Sequence, residues 1–295
     1  MGACYIPCVI RRPYVASLAI SSILFGLMAY AVRLAAHRGF GTWEIVTWRM
    51  AIGAVGCVPF LIGRENPVRV HRPGLLALRI GVGGVAVITY FWSLALLPVG
   101  LATLFNYLGP VFTALFAAAF LGERIGRLFV VGLALALVGV GLTLPELGGG
   151  GTLGAAVGLA SAVLQGAAVT FIRELRKRDR AVTIFFWFSL VTAVCCLPLA
   201  LRAPHWPSPS DLVVLLGMGL SSLAAQLLLT QALGFASAST AAILAPLTPL
   251  TGFLIGALAL GEPLTLRIAA GALVVMAGVG LGMSGERKPK AAPSV

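Results

Sequence analysis

Asn106 to Leu142 reads NYLGPVFTALFAAAFLGERIGRLFVVGLALALVGVGL, and the chain contains this stretch twice. The second copy, Ala245 to Leu281, reads APLTPLTGFLIGALALGEPLTLRIAAGALVVMAGVGL. Gly122 aligns with Gly261, an offset of 261 − 122 = 139. Without a gap, that offset pairs Leu108 with Leu247, Pro110 with Pro249, Leu121 and Glu123 with Leu260 and Glu262, and Gly132 and Gly139 with Gly271 and Gly278. Apolar stretches repeat leucine and valine by composition alone. A proline, a Gly-Glu hinge and a glycine ladder at one ungapped offset mark two copies of one unit.

The 295 residues are 59% hydrophobic and 10% charged, with a mean hydropathy of +1.02. A soluble domain carries about 25% charge, so this chain cannot cover a water-facing surface and must be solvated by lipid. The net charge of +12 suggests nucleic acid until the charges are located. They sit in short loops between apolar runs, as the positive-inside rule requires, and no nucleic-acid partner is expected. The five cysteines show neither metal spacing nor a paired framework, and Cys57, Cys195 and Cys196 lie inside apolar runs. No disulfide, metal or cofactor is expected. Arg11 and Arg12 precede an apolar run that continues to about residue 36 without a clear cleavage site, which reads as a retained first span.

Ten segments approach the roughly 20 apolar residues needed to cross a bilayer: 14–36, 43–62, 74–96, 100–121, 126–144, 152–173, 181–201, 211–232, 237–260 and 265–284. The fold expected is an all-α integral membrane protein of ten transmembrane helices in two five-helix repeats. Its parts are an N-terminal segment (1–13), a first repeat (14–147), a glycine linker (148–151), a second repeat (152–284) and a basic tail (285–295). With five spans per unit, the second copy enters the membrane from the other side, so the repeats are inverted. Cytoplasmic termini put fifteen of the loop basic residues inside and only four (Arg33, Arg38, Arg202 and Arg267) outside. The repeat reaches the first two segments as well. Gly26 and Arg33 meet Gly166 and Arg173 at an offset of 140, and Cys57 and Pro59 meet Cys196 and Pro198 at 139.

This pattern resembles the drug/metabolite transporter superfamily, specifically its ten-helix EamA-type members. The residues carrying the resemblance are Pro110, the Phe120-Leu121-Gly122-Glu123-Arg124 run and Gly132/Gly139, with their partners Pro249, Leu260-Gly261-Glu262 and Gly271/Gly278. Phe25-Gly26, Glu44 with Arg49, and Ala95-Leu96 add to it, over residues 15 to 284. The resemblance implies a cavity lined by helices one, three, four, six, eight and nine, with five and ten peripheral. It also implies transport of a small molecule rather than enzymatic activity.

Several residues are open to two readings. The Gly-Glu pairs read first as tight turns whose glutamate caps the next helix, and the glycine ladder as close helix packing. All nine acids fall at or near span ends, as do the three histidines. A proton-coupled pump usually keeps such a group at depth, so uniport or exchange is favoured, and no H-E-x-x-H or acid pair points to an enzyme. Arg79, about five residues into helix three, is expected to snorkel to cytoplasmic headgroups. Arg33, Glu44 and Arg49 read as an outer polar cluster centred on Glu44, or alternatively as an outer gate in which arginine recognises a carboxylate.

Tyr30, Tyr90, Trp92, Asn106, Tyr107, Gln165, Gln226 and Gln231 are the mid-depth candidates for binding substrate. Polar groups in lipid also bond helices together. The amides are costly to bury, which favours a cavity, and aromatics beside amides suit a small zwitterion or planar ring. The expectation is an alternating-access transporter in the inner membrane, monomeric or homodimeric, exporting an amino acid or a derivative. The alternatives are uptake of a nucleoside-like or vitamin-like solute, drug efflux, or a membrane scaffold that transports nothing. Single cysteines replacing Arg124 and Arg267, in a cysteine-free background, are expected to react with an impermeant thiol reagent from opposite sides of the membrane. Reaction from the same side would refute the inverted repeat.

Overall fold

Backbone amides have no water to bond in hydrocarbon, so a chain this apolar must satisfy them within helices. The computed structural model describes residues 12–62, 68–121, 126–233 and 244–284, and among them every regular element is helical. The first repeat contains α1 (Arg12–His37), α2 (Thr42–Leu61), α3 (Pro73–Leu96), α4 (Val99–Asn106), α5 (Gly109–Leu121) and α6 (Arg127–Thr143). After a 3-10 turn at Leu144–Leu147 come α7 (Gly148–Leu175), α8 (Ala181–Ala200), α9 (Pro209–Leu233), α10 (Leu247–Leu260) and α11 (Leu266–Ser284). Eight spans are long and apolar enough to cross a membrane, α4 and α5 counting together as one; α6 and α10 are shorter apolar helices. The ten-span fold follows, with the first part of the ninth expected span outside the described residues.

Two features differ from the sequence expectation. The glycines at 148–151 form the first turn of α7 rather than a linker, and the joint between the halves is the preceding 3-10 turn. A first helical turn has no intrahelical acceptors for its N–H groups, so glycine is tolerated there. The fourth expected span is also not one helix: it breaks at Tyr107-Leu108 into α4 and α5.

Helix pairing reveals the internal symmetry. The largest contacts are α6 with α11, α3 with α7, α1 with α9, and α2 with α8, followed by α5 with α7 and α1 with α10. Exchanging the two halves turns α1–α9 into α7–α3 and α5–α7 into α10–α1, while α2–α8 and α6–α11 map onto themselves. An inverted pair of repeats packed about one twofold axis requires this pattern.

The glycine ladder holds α6 against α11. A Cβ at Gly139 would lie 2.6 Å from the Val275 nitrogen and 2.7 Å from the Gly271 oxygen, and one at Gly278 would lie 2.5 Å from the Ala136 nitrogen. Backbone touches backbone at this crossing, which only glycine permits. Gly141, on the same helix, has nothing within 4 Å of such a Cβ. Gly139→Ala is therefore expected to lower stability by about 1–3 kcal/mol through overpacking. Gly141→Ala is expected to be neutral or to stabilise by up to about 1 kcal/mol. Thermal unfolding of the two variants in detergent measures the difference, and equal effects would show that the crossing is not tight.

Candidate functional site

The break between α4 and α5 has a covalent cause. Pro110 has no N–H to give the carbonyl four residues back, at Asn106, and its ring crowds that position. Helix α4 therefore ends at Asn106 and the chain restarts as α5 at Gly109. Asn106 Nδ2 donates to Ser161 Oγ on α7 at 3.2 Å. Tyr107 is buried with its hydroxyl unbonded inside the protein. The side chain of Gln165 packs beside Gly109, its Cγ 3.4 Å from where a Cβ would stand. These three expected site residues thus meet at one elbow.

The second half repeats the elbow. Ala245-Pro246 is a turn immediately ahead of α10, with Leu244 before it helical. There α1 crosses α10 as α7 crosses α5: a Cβ at Gly26 would meet Thr251 Cβ at 2.6 Å, and one at Gly166 would meet Phe112 Cβ at 2.6 Å. Interrupted helices at matching positions of inverted repeats mark the axis where transporters place their site.

Between α2, α3, α8 and α9 lie two arginines. Arg49 on α2 donates from Nε to Ser222 Oγ at 2.8 Å, with Cζ 5.5 Å from the Phe91 ring centroid. Arg79 on α3 lies over Phe188, its Cζ 4.1 Å from the ring centroid. They are 7% and 6% exposed, and Arg79 Nε and Nη1 have no hydrogen-bond partner among the described residues. Ser189 Oγ and Thr192 Oγ1 on α8 are likewise buried and unbonded. A buried unpaired charge costs several kcal/mol, and a ring face returns about 0.5–2 kcal/mol of that.

Arg79 does not snorkel to the headgroups, contrary to the sequence expectation. It lies on the buried face of α3 with Leu76, Gly83, Ala86 and Tyr90, and Gly83 makes room for its guanidinium. A Cβ there would sit 1.6 Å from Nη1. Beside Arg79 is a small, open-mouthed cavity of about 20 Å³, whose lining includes Ile172, Arg176, Phe185 and Gln226.

The end of the bundle away from the α7–α8 turn is tied shut. Arg33, near the end of α1, lies with Nε 3.5 Å from Glu262 Oε1, and its Nη1 donates to the carbonyls of Leu94 and Ala95 at the end of α3. Glu262 Oε2 accepts from the Val99 N–H at 2.8 Å. This glutamate caps a helix, but it is α4 of the other half, not the next helix in the chain. Arg38 pairs with Asp211 at 2.8 Å. Glu44 accepts from the Gly41 N–H at 2.7 Å and the His205 N–H at 2.6 Å.

Arg33, Glu44 and Arg49 are therefore not one cluster. Both Glu44 oxygens are used by backbone amides. Arg49, five residues on, lies about 140° round the helix at 100° per residue and turns inward. The α2–α3 and α7–α8 loops are tied at the other end by His71 Nδ1 to Asp179 Oδ1 at 2.7 Å and by Trp187 Nε1 to the Val68 carbonyl at 2.9 Å.

The remaining candidates are scattered. Tyr90 is buried within electrostatic reach of Arg49. Tyr30 is partly buried on α1. Trp92 is 43% exposed, on a stripe with Leu78, Val85 and Leu96 that faces out of the bundle, so it does not join the others. Gln231 is on α9, and its side chain lies outside the described residues. Sequence reasoning missed Ser161, Ser189, Thr192 and Ser222, since a lone hydroxyl in an apolar helix carries no signal. The described residues contain no group of three His, Cys, Asp or Glu placed to hold a metal.

The EamA-like transporter family model matches residues 12–144 and again 152–283. The chain is similar to the pseudopaline exporter CntI of Pseudomonas aeruginosa (strain UCBPP-PA14), 33% identical over 255 residues, covering 81% of this chain and 85% of that one. It is also similar to a riboflavin transporter of Rhizobium johnstonii, 27% identical over 224 residues, covering 75% and 74%. A crystal structure of a protein 18% identical superposes with a TM-score of 0.71 over 95% of this chain and 100% of the other, a likeness of fold.

Glu262→Ala removes both the cap of α4 and the partner of Arg33. In a cysteine-free background carrying Thr103→Cys, it is expected to speed labelling by an impermeant thiol reagent about tenfold, equivalent to ~1.4 kcal/mol of lost closure. An unchanged rate in a folded variant would show that this contact does not hold the end closed.

Proposed function

The chain belongs to the EamA-like transporter family, and from that premise we propose that it exports a small polar metabolite, an amino acid or amino-acid derivative, by alternating access. The observation that carries the reading is the pair of elbows, one in each repeat, at Tyr107-Leu108 and Ala245-Pro246. Broken helices free backbone groups at depth, where only a cavity or a bound solute can use them. Asn106, Tyr107 and Gln165 at the first elbow, with Gln226 across the bundle, supply hydrogen bonds and an aromatic surface to the compound. Arg33, Glu262, Arg38, Asp211 and Glu44 form the closed gate.

The positive-inside rule puts the basic α7–α8 end and both termini in the cytoplasm, so the cavity beside Arg79 faces the compartment from which an exporter loads. Similarity to a pseudopaline exporter supports this direction. The buried charges within the spans are guanidiniums, which keep their protons at physiological pH, whereas the described buried carboxylates sit at helix ends. Flux is then set by the solute's own gradient, without proton coupling. A second reading, uptake of a vitamin-like ring compound, has the riboflavin transporter's similarity in its favour.

Counterflow in proteoliposomes, with labelled amino acids, their derivatives and riboflavin, tests both readings. Asn106→Ala and Gln165→Ala are expected to raise the half-saturating concentration roughly tenfold, the loss of one hydrogen bond of about 1–3 kcal/mol. An imposed pH gradient is expected to drive no accumulation. Accumulation that persists in Glu44→Gln would refute the uncoupled mechanism, and wild-type kinetics in both elbow variants would move the site elsewhere.

A further inference from the structure

We propose that Arg79 and Arg49 form a two-station binding site for carboxylates, so that the transported solute is an organic anion. Transport of that anion rests on the function proposed above; the binding site itself does not. Ion pairs among the described residues join Arg33 to Glu262, Arg38 to Asp211, His71 to Asp179, and Arg72 and Lys177 to Glu174. None includes Arg49 or Arg79, although these are the two buried cations among the described residues.

The two guanidiniums also repel each other. Arg49 has one hydroxyl partner and a sulfur contact, and Arg79 has a ring face with Nε and Nη1 left over. A protein gains nothing in stability from such an arrangement, because the same helices would pack better around an apolar side chain. What the arrangement does provide is a set of charged donors waiting for an acceptor, in a setting of low dielectric where that acceptor is held strongly.

The surroundings narrow the chemistry. The cavity beside Arg79 has a second cation, Arg176, on its wall, and its lining contains no acid. An ammonium group would find repulsion there, which disfavours cations and leaves the α-amino group of a plain zwitterion without a partner. Phe188 lies over the Arg79 guanidinium carbon and Gly83 adjoins Nη1, so the group is held in place, and arginine's planar fork is matched to a planar carboxylate.

Arg79 lies against Gly83 and Arg49 against Phe91, eight residues further along α3. At 1.5 Å per residue those two contact points on α3 are about 12 Å apart along the helix axis. One carboxylate can step from the first to the second as the bundle changes state, or an elongated dicarboxylate can engage both.

The test is thermal unfolding of the detergent-solubilised protein, followed by tryptophan fluorescence, with glutarate, dimethyl glutarate, cadaverine, inorganic phosphate and chloride as probes. Glutarate is expected to raise the melting temperature by several degrees at concentrations where the ester and the diamine do nothing. Arg79→Met is expected to melt no lower than wild type without ligand, since it removes an unpaired buried charge, and to lose the glutarate response. Two variants that keep the charge separate binding from folding. Gly83→Ala displaces the guanidinium and Arg79→Lys loses the fork, and each is expected to need about tenfold more glutarate.

Four results would overturn the proposal: a lower ligand-free melting temperature in Arg79→Met with the glutarate response intact, which marks a structural arginine; an equal response to the ester; phosphate or chloride acting as well as glutarate, which marks a site for any small anion; and stabilisation by phosphatidylglycerol over phosphatidylcholine nanodiscs, lost in Arg79→Met and not reproduced by glutarate, which assigns the site to lipid. Counterflow of labelled glutarate keeps the two readings apart. Binding without flux would leave the site standing and remove transport of this anion. Flux of neutral solutes without glutarate binding would do the reverse.

Discussion

The N–H of Val99 needs an acceptor, and the acceptor is the carboxylate of Glu262, 163 residues away in the other repeat. A helix that starts in a buried turn exposes amides that no water can reach, and each one left bare costs several kcal/mol. Pro98, preceding α4, lacks an N–H itself, so Val99 supplies the first free donor. Meeting that need from the α10–α11 turn joins the halves. The same carboxylate holds Arg33 of α1, whose guanidinium covers the last carbonyls of α3. One side chain thereby connects the ends of α1, α3 and α4 to the turn after α10. Gly256 makes this possible: a Cβ there would stand 2.2 Å from Glu262 Oε2.

Against that economy the arginine pair stands out. Elsewhere in the described structure Arg33, Glu44, Asp179, Asp211 and Glu262 at helix ends find partners, and the glycines let backbones meet. At Arg79, Ser189 and Thr192 the donors are buried and idle. Tyr107 at the first elbow also has an unbonded hydroxyl, but at Arg79 the idle donors carry a buried charge without an ion pair, and such an arrangement trades stability for something else. The arrangement falls between α2, α3, α8 and α9, where the two repeats interlock through the α2–α8 contact, a position from which a bound solute can be felt by both halves.

Much of this fold could be read from the sequence because lipid imposes few and coarse rules. Span length, the inverted repeat and the α6–α11 glycine crossing each follow from one local feature, namely apolar runs, an ungapped offset, and Gly132, Gly139, Gly271 and Gly278. The elbow was half legible. Pro110 and Pro249 were visible as aligned prolines, but the break falls before each of them because a proline disturbs the carbonyl four residues back. Partner choice was not legible. Arg33 and Glu44 are eleven residues apart and seemed natural neighbours, yet each is used by a distant backbone group. Depth misled at Arg79, because counting residues from a helix end gives height in the bilayer but not the direction the side chain faces. Gly83, four residues on, is the sequence feature that admits the guanidinium.

The two ends of the bundle are related by symmetry but not by strength. Arg38 and Gly39 correspond to Arg178 and Asp179 at the offset of 140 that holds in the first helix, and His71 and Arg72 correspond to Ser210 and Asp211 at the offset of 139 that holds from the second helix on. The loop contact Arg38–Asp211 at one end is thus, to within one residue, the counterpart of Asp179–His71 at the other, with the charges exchanged between the loops. Arginine is charged under all relevant conditions, whereas His71 makes a full ion pair only when protonated. The first end adds the Arg33–Glu262 pair, whose side chains are 15% and 12% exposed. The other adds Arg72 and Lys177 on Glu174, with the cations 49% and 66% exposed and correspondingly screened. Equal geometry with unequal chemistry biases an otherwise symmetric machine. The end held by two arginines is the more strongly bonded, and the cavity beside Arg79 lies nearer the end that is held by a histidine.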